Sequence, residues 1–279
     1  MTAPAAGVSP AWLTLREPAD AAARAADLVE EIRRDLQCDR LLTVHDLGCG
    51  TGSMRRWLAP QLPGPQLWVM HDRDADLLAL ADTEPTQASD GSTVATKIRQ
   101  DDVTRLDRDE LAGASLITAS ALLDLLTADE LSRLVSVCAA TGCPVLLTLS
   151  VIGRVDMNPR HRLDDAVRVA FNAHQRRTAG GRRILGPDAA RLAARVFAAH
   201  GADVVRRPSL WRLGPASAAL TTEWFTGWLG AACEQRPELS GVTRRYARWR
   251  LAQAGAGGLR VLVHHHDLLV RPGPPGGTP

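Results

Sequence analysis

A glycine-rich turn and a series of carboxylates carry the first chemistry this chain offers. Residues 43–53 read Thr-Val-His-Asp-Leu-Gly-Cys-Gly-Thr-Gly-Ser, so Gly48, Gly50 and Gly52 recur at alternate positions. Without Cβ atoms such a segment can turn sharply and let a ligand approach the backbone itself. Leu41, Leu42 and Val44 before it read as a buried strand. A helix starting near Ser53 points its free N–H groups back at the same turn. Strand, glycine turn and helix N-terminus in that order make a pocket for a nucleotide-type ligand. Asp46 precedes the first glycine by two positions. Asp72 closes a second apolar run, about twenty residues past the turn, where an acid can accept both hydroxyls of a ribose.

The glycine spacing discriminates between nucleotides. A dinucleotide fingerprint places its third glycine three residues after the second, but Ser53 occupies that position. The pattern here, acid-x-Gly-x-Gly-x-Gly, resembles the first motif of the class I S-adenosylmethionine (SAM)-dependent methyltransferases. Further segments extend the resemblance in order. His71-Asp72 ends the second strand; Gln100-Asp101-Asp102-Val103-Thr104 follows a third, over 93–99; Ala121-Leu122-Leu123-Asp124-Leu125-Leu126 follows a fourth, over 114–120. The resemblance implies a Rossmann-like, seven-stranded doubly wound sheet, parallel except for an antiparallel last strand, with helical cap insertions. It implies SAM as cofactor, held by Asp46, Gly48, Cys49, Gly50, Asp72, Arg73, Asp101, Asp102, Val103 and Ser120. In that scheme Asp102, with Asp101 as its alternative, accepts the adenine amino group while the backbone of Val103 reads the ring. Arg16, on an N-terminal helix laid across the cleft, is the candidate partner of the methionine carboxylate; a surface arginine beside Glu17 would look the same.

Methyl transfer is an in-line displacement at an activated carbon, so alignment and desolvation dominate and a base is needed only to unmask the nucleophile. Asp124 and His174 are the candidate catalytic groups. Asp124 borders the fourth strand, where a carboxylate can act as base or simply cap a short helix. The ordinary pKa of His174 lies near neutral, and Asn172 and Gln175 stand beside it. Trp224 and Trp228, four apart on one helix face, read as cap core or as a wall for an apolar substrate. Glu223 and Glu234 on the cap read as solvated. In His264-His265-His266-Asp267 a strand can turn only two imidazoles to one face, which gives no metal set. Arg244, Arg245, Arg248 and Arg250 read by default as a solvated helix face.

The expected activity is methyl transfer to an O, N or C nucleophile of a small molecule. An RNA or protein acceptor, and a SAM-binding protein without catalysis, are the alternatives. No Asn-Pro-Pro-Tyr type segment follows the fourth strand, where Ser120-Ala121-Leu122-Leu123 stands.

The elements that must position these groups alternate along the chain. Strands are expected over 41–47, 66–71, 93–98, 114–119, 144–150, 202–213 and 259–269. Helices are expected over 19–36, 52–60, 74–81, 128–140, 164–177 and 187–200. The βα alternation places ligands at the carboxyl ends of the strands. Residues 1–40 form an N-terminal segment over the cleft and 41–270 the methyltransferase domain, with helical insertions at about 151–186 and 215–257. The first ten residues and the Pro/Gly-rich tail from Arg271 read as loose, and 83–91 as a solvated loop. A net charge of +2 carries no gross footprint for nucleic acid. Five scattered cysteines show neither a disulfide framework nor a zinc pattern, and no long apolar stretch is present. A cytoplasmic protein without a membrane partner is the expectation.

Overall fold

The apolar runs become seven strands of one sheet in a computed structural model of the chain, which describes residues 8–36, 40–81, 83 and 85–273. Cys38, residues 1–7 and the tail beyond 273 lie outside the described residues. The strands are β1 Leu42–Leu47, β2 Gln66–Asp72, β3 Val94–Gln100, β4 Leu116–Ser120, β5 Val145–Asn158, β6 Asp203–Leu213 and β7 Arg260–Arg271. Their order across the sheet is β3-β2-β1-β4-β5-β7-β6. β1 to β5 pair in parallel, and β7 runs antiparallel to both β5 and β6. This is the doubly wound sheet with one reversed strand that the motif series implies.

Nine helices accompany these strands among the described residues: α1 Pro10–Ala23, α2 Ala26–Asp35, α3 Ser53–Leu58, α4 Ala75–Ala81, α5 Ala128–Thr141, α6 Asp164–Gln175, α7 Ala189–Ala199, α8 Ala218–Gln235 and α9 Leu239–Gly255. Because side chains alternate along a strand, neighbouring residues feed opposite cores. Leu147 and Leu268 join the core beneath α5 and α7, whereas Leu146 and Leu269 join the one beneath α2 and α3. A third core lies around the far halves of β5, β6 and β7, where Met157, Trp211 and Val263 pack with α1, α6, α8 and α9. Local signals match these positions. Thr127 and Glu130 close a capping box at the start of α5, and Gly142 ends that helix in the left-handed conformation.

Two expected elements have different limits. The single N-terminal helix over 19–36 is two helices, and the first begins at Pro10, capped by the Ser9 hydroxyl. The break falls at Arg24 and Ala25 because the Ala25 N–H leaves the helical ladder to donate to the buried Asp267 carboxylate at 2.8 Å. Strand five does not stop at 150 but runs to Asn158. β7 supplies a partner along that length, from Val145 opposite Val270 to Asn158 opposite Arg260. Part of the first expected helical insertion is therefore sheet. No helix among the described residues is long and apolar enough to cross a membrane.

Candidate functional site

The glycine turn sits at the carboxyl end of β1 and is tied to the end of β2. Asp72 accepts the Gly50 N–H at 2.8 Å on one oxygen and the Asp74 N–H at 3.0 Å on the other. The His71 carbonyl accepts the Cys49 N–H, and the Asp72 carbonyl accepts that of Asp101. The carboxylate expected to meet a ribose thus also fixes the turn. Gly52 has φ +83°, and a Cβ there would lie 2.5 Å from the Ala81 carbonyl oxygen, so only glycine fits. Gly50 is crowded differently: the Leu13 side chain of α1 would come within 3.2 Å of its Cβ. Leu122 covers Gly48 in the same way.

Beneath the turn lie two buried ionisable groups, Asp46 and Arg24, of which the sequence pointed to the first alone. Asp46 accepts a hydrogen bond from the Thr118 hydroxyl at 2.8 Å through one oxygen, and its other oxygen has no partner. Burial raises its pKa to about 7, against the opposing influence of Thr118 and the Arg24 charge. Arg24, from the break between α1 and α2, is 4% exposed. Its Nη2 donates to the hydroxyls of Ser53 and Ser120, both at 3.1 Å, while Nε and Nη1 are unpartnered. Burial lowers the pKa of this guanidinium, although Asp20, Asp46 and Asp267 surround it. Ser120 thus lies in the site, holding Arg24 and accepting from Thr148 at 3.0 Å.

Arg16, the expected carboxylate partner, is differently engaged. It forms a bidentate pair with Asp20 at 2.8 and 3.1 Å and lies 5.0 Å over the Trp211 ring. Asp20 in turn accepts from the Trp211 indole N–H at 2.8 Å. Arg16 and Asp20 on α1 and Arg24 at its C-cap recur four apart, a spacing that could have drawn attention to Arg24 in the sequence.

The acids after β3 separate into two roles. Asp101 lies 3.0 Å from Nδ1 of the fully buried His71, whose Nε2 is 2.9 Å from Nδ1 of His45. With both imidazoles neutral, His71 donates to Asp101 and His45 donates to His71. Burial favours that state, lowering His71 and holding His45 at about 4. Asp102 is bonded by the Thr104 amide and hydroxyl at 3.0 and 2.7 Å. Partial burial opposes its ionisation, but Thr104, with Arg105 and Arg73 nearby, holds it below the ordinary carboxylate range. Val103 is buried beside Asp102, within the α5/α7 core.

Asp124 is half-buried after β4, and burial raises its pKa to about 6 despite its own backbone N–H and the Arg16 charge. His174, in the last turn of α6, lies 3.9 Å from Glu234 of α8. Burial and Arg177 lower its pKa and Glu234 opposes them. Trp224 and Trp228 stack at 5.4 Å, and Trp228 is buried in the cap core. Arg250 is no solvated residue: it is wholly buried against Asp164 because α9 turns that side toward the loop before α6. His264 pairs with Asp156 at 2.7 Å, whereas His265 is buried on the opposite side, toward Trp211. Among the described residues no His, Cys, Asp and Glu cluster could hold a metal. Cavities of about 570 and 360 Å³ lie elsewhere, at the start of α5 and on the cap, and neither borders the turn.

No family model and no curated protein matches this chain. Several solved structures are similar to it in part. The cyclopropane synthase MmaA2 from Mycobacterium tuberculosis is 14% identical over 95% of each chain, with a TM-score of 0.49. YcgJ from Bacillus subtilis is 13% identical over 90% of this chain and 100% of its own, with a TM-score of 0.48. The magnesium protoporphyrin IX methyltransferase ChlM from Synechocystis PCC 6803, solved with bound SAH, is 13% identical over 95% and 89%, with a TM-score of 0.44. Strand order and the reversed β7 give this chain a Rossmann-like, seven-stranded doubly wound sheet.

Proposed function

We propose that the chain is a SAM-dependent methyltransferase acting on a small molecule. The observation that carries the reading is the set of unpartnered polar atoms on two buried ionisable groups at the glycine turn: Nε and Nη1 of Arg24 and one oxygen of Asp46. Buried ionisable groups without partners are costly, and they persist where a ligand completes them. A cofactor with an α-ammonium and an α-carboxylate has the complementary charges. Arg24, rather than Arg16, then meets the carboxylate, and Asp46 meets the ammonium. Asp72 accepts the ribose, Asp102 and the Val103 backbone read the adenine, and Arg73, Gly48, Cys49, Gly50 and Ser120 line the path. Asp101, engaged by His71, fixes the end of β3. When bound, SAM supplies a methyl carbon activated by its sulfonium.

The chain's own part is alignment, exclusion of water and, where the acceptor is protonated, removal of a proton. Asp124, with a pKa near 6, is largely ionised at neutral pH and is the base we assign. His174, on the cap, is the second titratable group of the reading. Leu13 covers the turn, so α1 shifts to admit the cofactor.

Calorimetry with S-adenosylhomocysteine tests this. Binding by the wild type, weakened at least about tenfold in Arg24→Ala, is the expected result. Absence of binding to the wild type ends the proposal. Methyl transfer from labelled SAM to fractions of a small-metabolite extract then identifies the acceptor.

A further inference from the structure

The cap contains a second built hollow that methyl transfer leaves unused. It measures about 360 Å³ and lies between α9 and the loop 159–163. Val242, Arg245, Tyr246 and Trp249 reach it from one face of α9, at i, i+3, i+4 and i+7, and His161 and Arg162 face them from the loop.

Its frame is rigid. Arg250 is wholly buried and grips both Asp164 oxygens at 2.5 and 2.7 Å and the Pro159 carbonyl at 2.7 Å. The Tyr246 hydroxyl and the His161 N–H donate to the same carboxylate at 2.7 and 2.9 Å. The Leu163 N–H donates to Nδ1 of His161 at 3.2 Å, which leaves a neutral His161 with its proton on Nε2, free to donate. The His161 ring lies 4.9 Å from Tyr246 and 5.3 Å from Trp249, so three aromatic rings meet at the hollow.

The rim is electropositive without compensation. Arg162 and Arg245 are exposed and neither forms an ion pair among the described residues, because Asp164 is consumed by Arg250. Exposed Arg160, Arg244 and Arg248 neighbour them in sequence without lining the hollow, and they too form no ion pair among the described residues. A solvated helix face explains scattered arginines, but not guanidinium groups ranged round a pre-organised aromatic pocket.

We propose that this hollow binds a nucleotide, its base against His161 and Trp249 and its phosphate between Arg162 and Arg245. An aromatic floor alone would suit a neutral ring, and a basic rim alone a free phosphate; the combination selects a ligand that carries both. The volume is that of a single nucleotide-sized ligand. A free mononucleotide and one unit of a single-stranded RNA present the same chemistry. The inference is independent of cofactor binding at the glycine turn.

Uridine monophosphate (UMP) is the probe, because it lacks the adenine that the other cleft is read to recognise. Calorimetry at low salt is expected to show UMP binding more tightly than uridine or inorganic phosphate. The double variant Arg162→Glu/Arg245→Glu should lose at least about tenfold in affinity for UMP with an unchanged melting temperature. His161→Ala should weaken UMP while leaving phosphate binding as it was. No UMP binding to the wild type, equal affinity in the double variant, or phosphate binding as tightly as UMP would each overturn the proposal. Hexauridylate decides the source. Tighter binding that Arg244→Glu/Arg248→Glu removes identifies an RNA strand, and affinity equal to UMP identifies a free nucleotide; both results uphold the site.

Discussion

Asp46 holds a proton when folded that it loses when unfolded, and this gives the residue a measurable signature. Burial raises its pKa from 3.8 to about 7. Between those values the folded chain binds more protons than the unfolded one, so the contribution of Asp46 makes stability fall as pH rises through that window and level off above it. Asp46→Asn keeps an oxygen for the Thr118 hydroxyl and removes the titration. The variant should melt above the wild type at pH 8 and near it at pH 4, as differential scanning calorimetry can check. If the unpartnered oxygen meets an ammonium, S-adenosylhomocysteine should abolish most of that difference. Asp124 supplies a second signature. With its pKa near 6, the rate of a base-assisted transfer should rise between about pH 5 and 7, and Asp124→Asn should flatten that limb by losing the activity above it. Asp72→Ala should weaken S-adenosylhomocysteine by about tenfold or more and also lower the melting temperature, since the Gly50 N–H loses its acceptor.

Helix α1 is the element on which access to the turn depends. Glu17 grips Arg56 of α3 at 2.6 and 2.7 Å, and Arg16 and Asp20 anchor the helix to Trp211 of β6. These charge-assisted contacts hold Leu13 over Gly50. Leu13→Ala should speed cofactor association, a change that stopped-flow fluorescence would read. The two crowded glycines should also differ. In Gly52→Ala the new methyl meets the Ala81 backbone at 2.5 Å and cannot be relieved, whereas in Gly50→Ala it meets a side chain at 3.2 Å. Gly52→Ala should therefore lose more stability. Leu13→Ala should rescue part of the Gly50→Ala loss, visible as a non-additive double-mutant cycle in urea denaturation.

At the scale of the molecule, β5, β6 and β7 run through both the cap and the rest of the sheet, so the two should unfold as one cooperative body. Asp267 of β7 shows the coupling: it accepts from Ala25 at the α1–α2 break, from Leu149 in β5 and from Ser209 in β6. Leu149 adopts φ +56° there, at an irregularity in the β5–β7 pairing, and its N–H points at that carboxylate. Arg250→Ala would leave the Asp164 carboxylate without its buried partner, which costs about 3–5 kcal/mol. Thermal unfolding should still show one transition, shifted down, with cap and sheet melting together.

The sheet order was legible in the amino acids because glycine spacing, apolar runs and acids at strand ends are local signals. Within that sheet Asp72 at the end of β2 accepts the Gly50 N–H of the turn that follows β1. The extension of β5 to Asn158 was not legible, since nothing in residues 151–158 distinguishes a strand until β7 lies beside it. The break at Arg24 was hidden for the same reason: an amide hydrogen bond to Asp267, 242 positions away, decides where the helix ends. Arg16 and Arg24 are alike as letters on one helix face, and only packing pairs the first with Asp20 and leaves the second buried with two free nitrogens. Residue order by itself determined where the glycine turn and its carboxylates fall at the strand ends. Tertiary structure alone decided which charges are neutralised and which buried polar atoms stay unpartnered, because desolvation and pairing depend on groups brought together from distant parts of the chain.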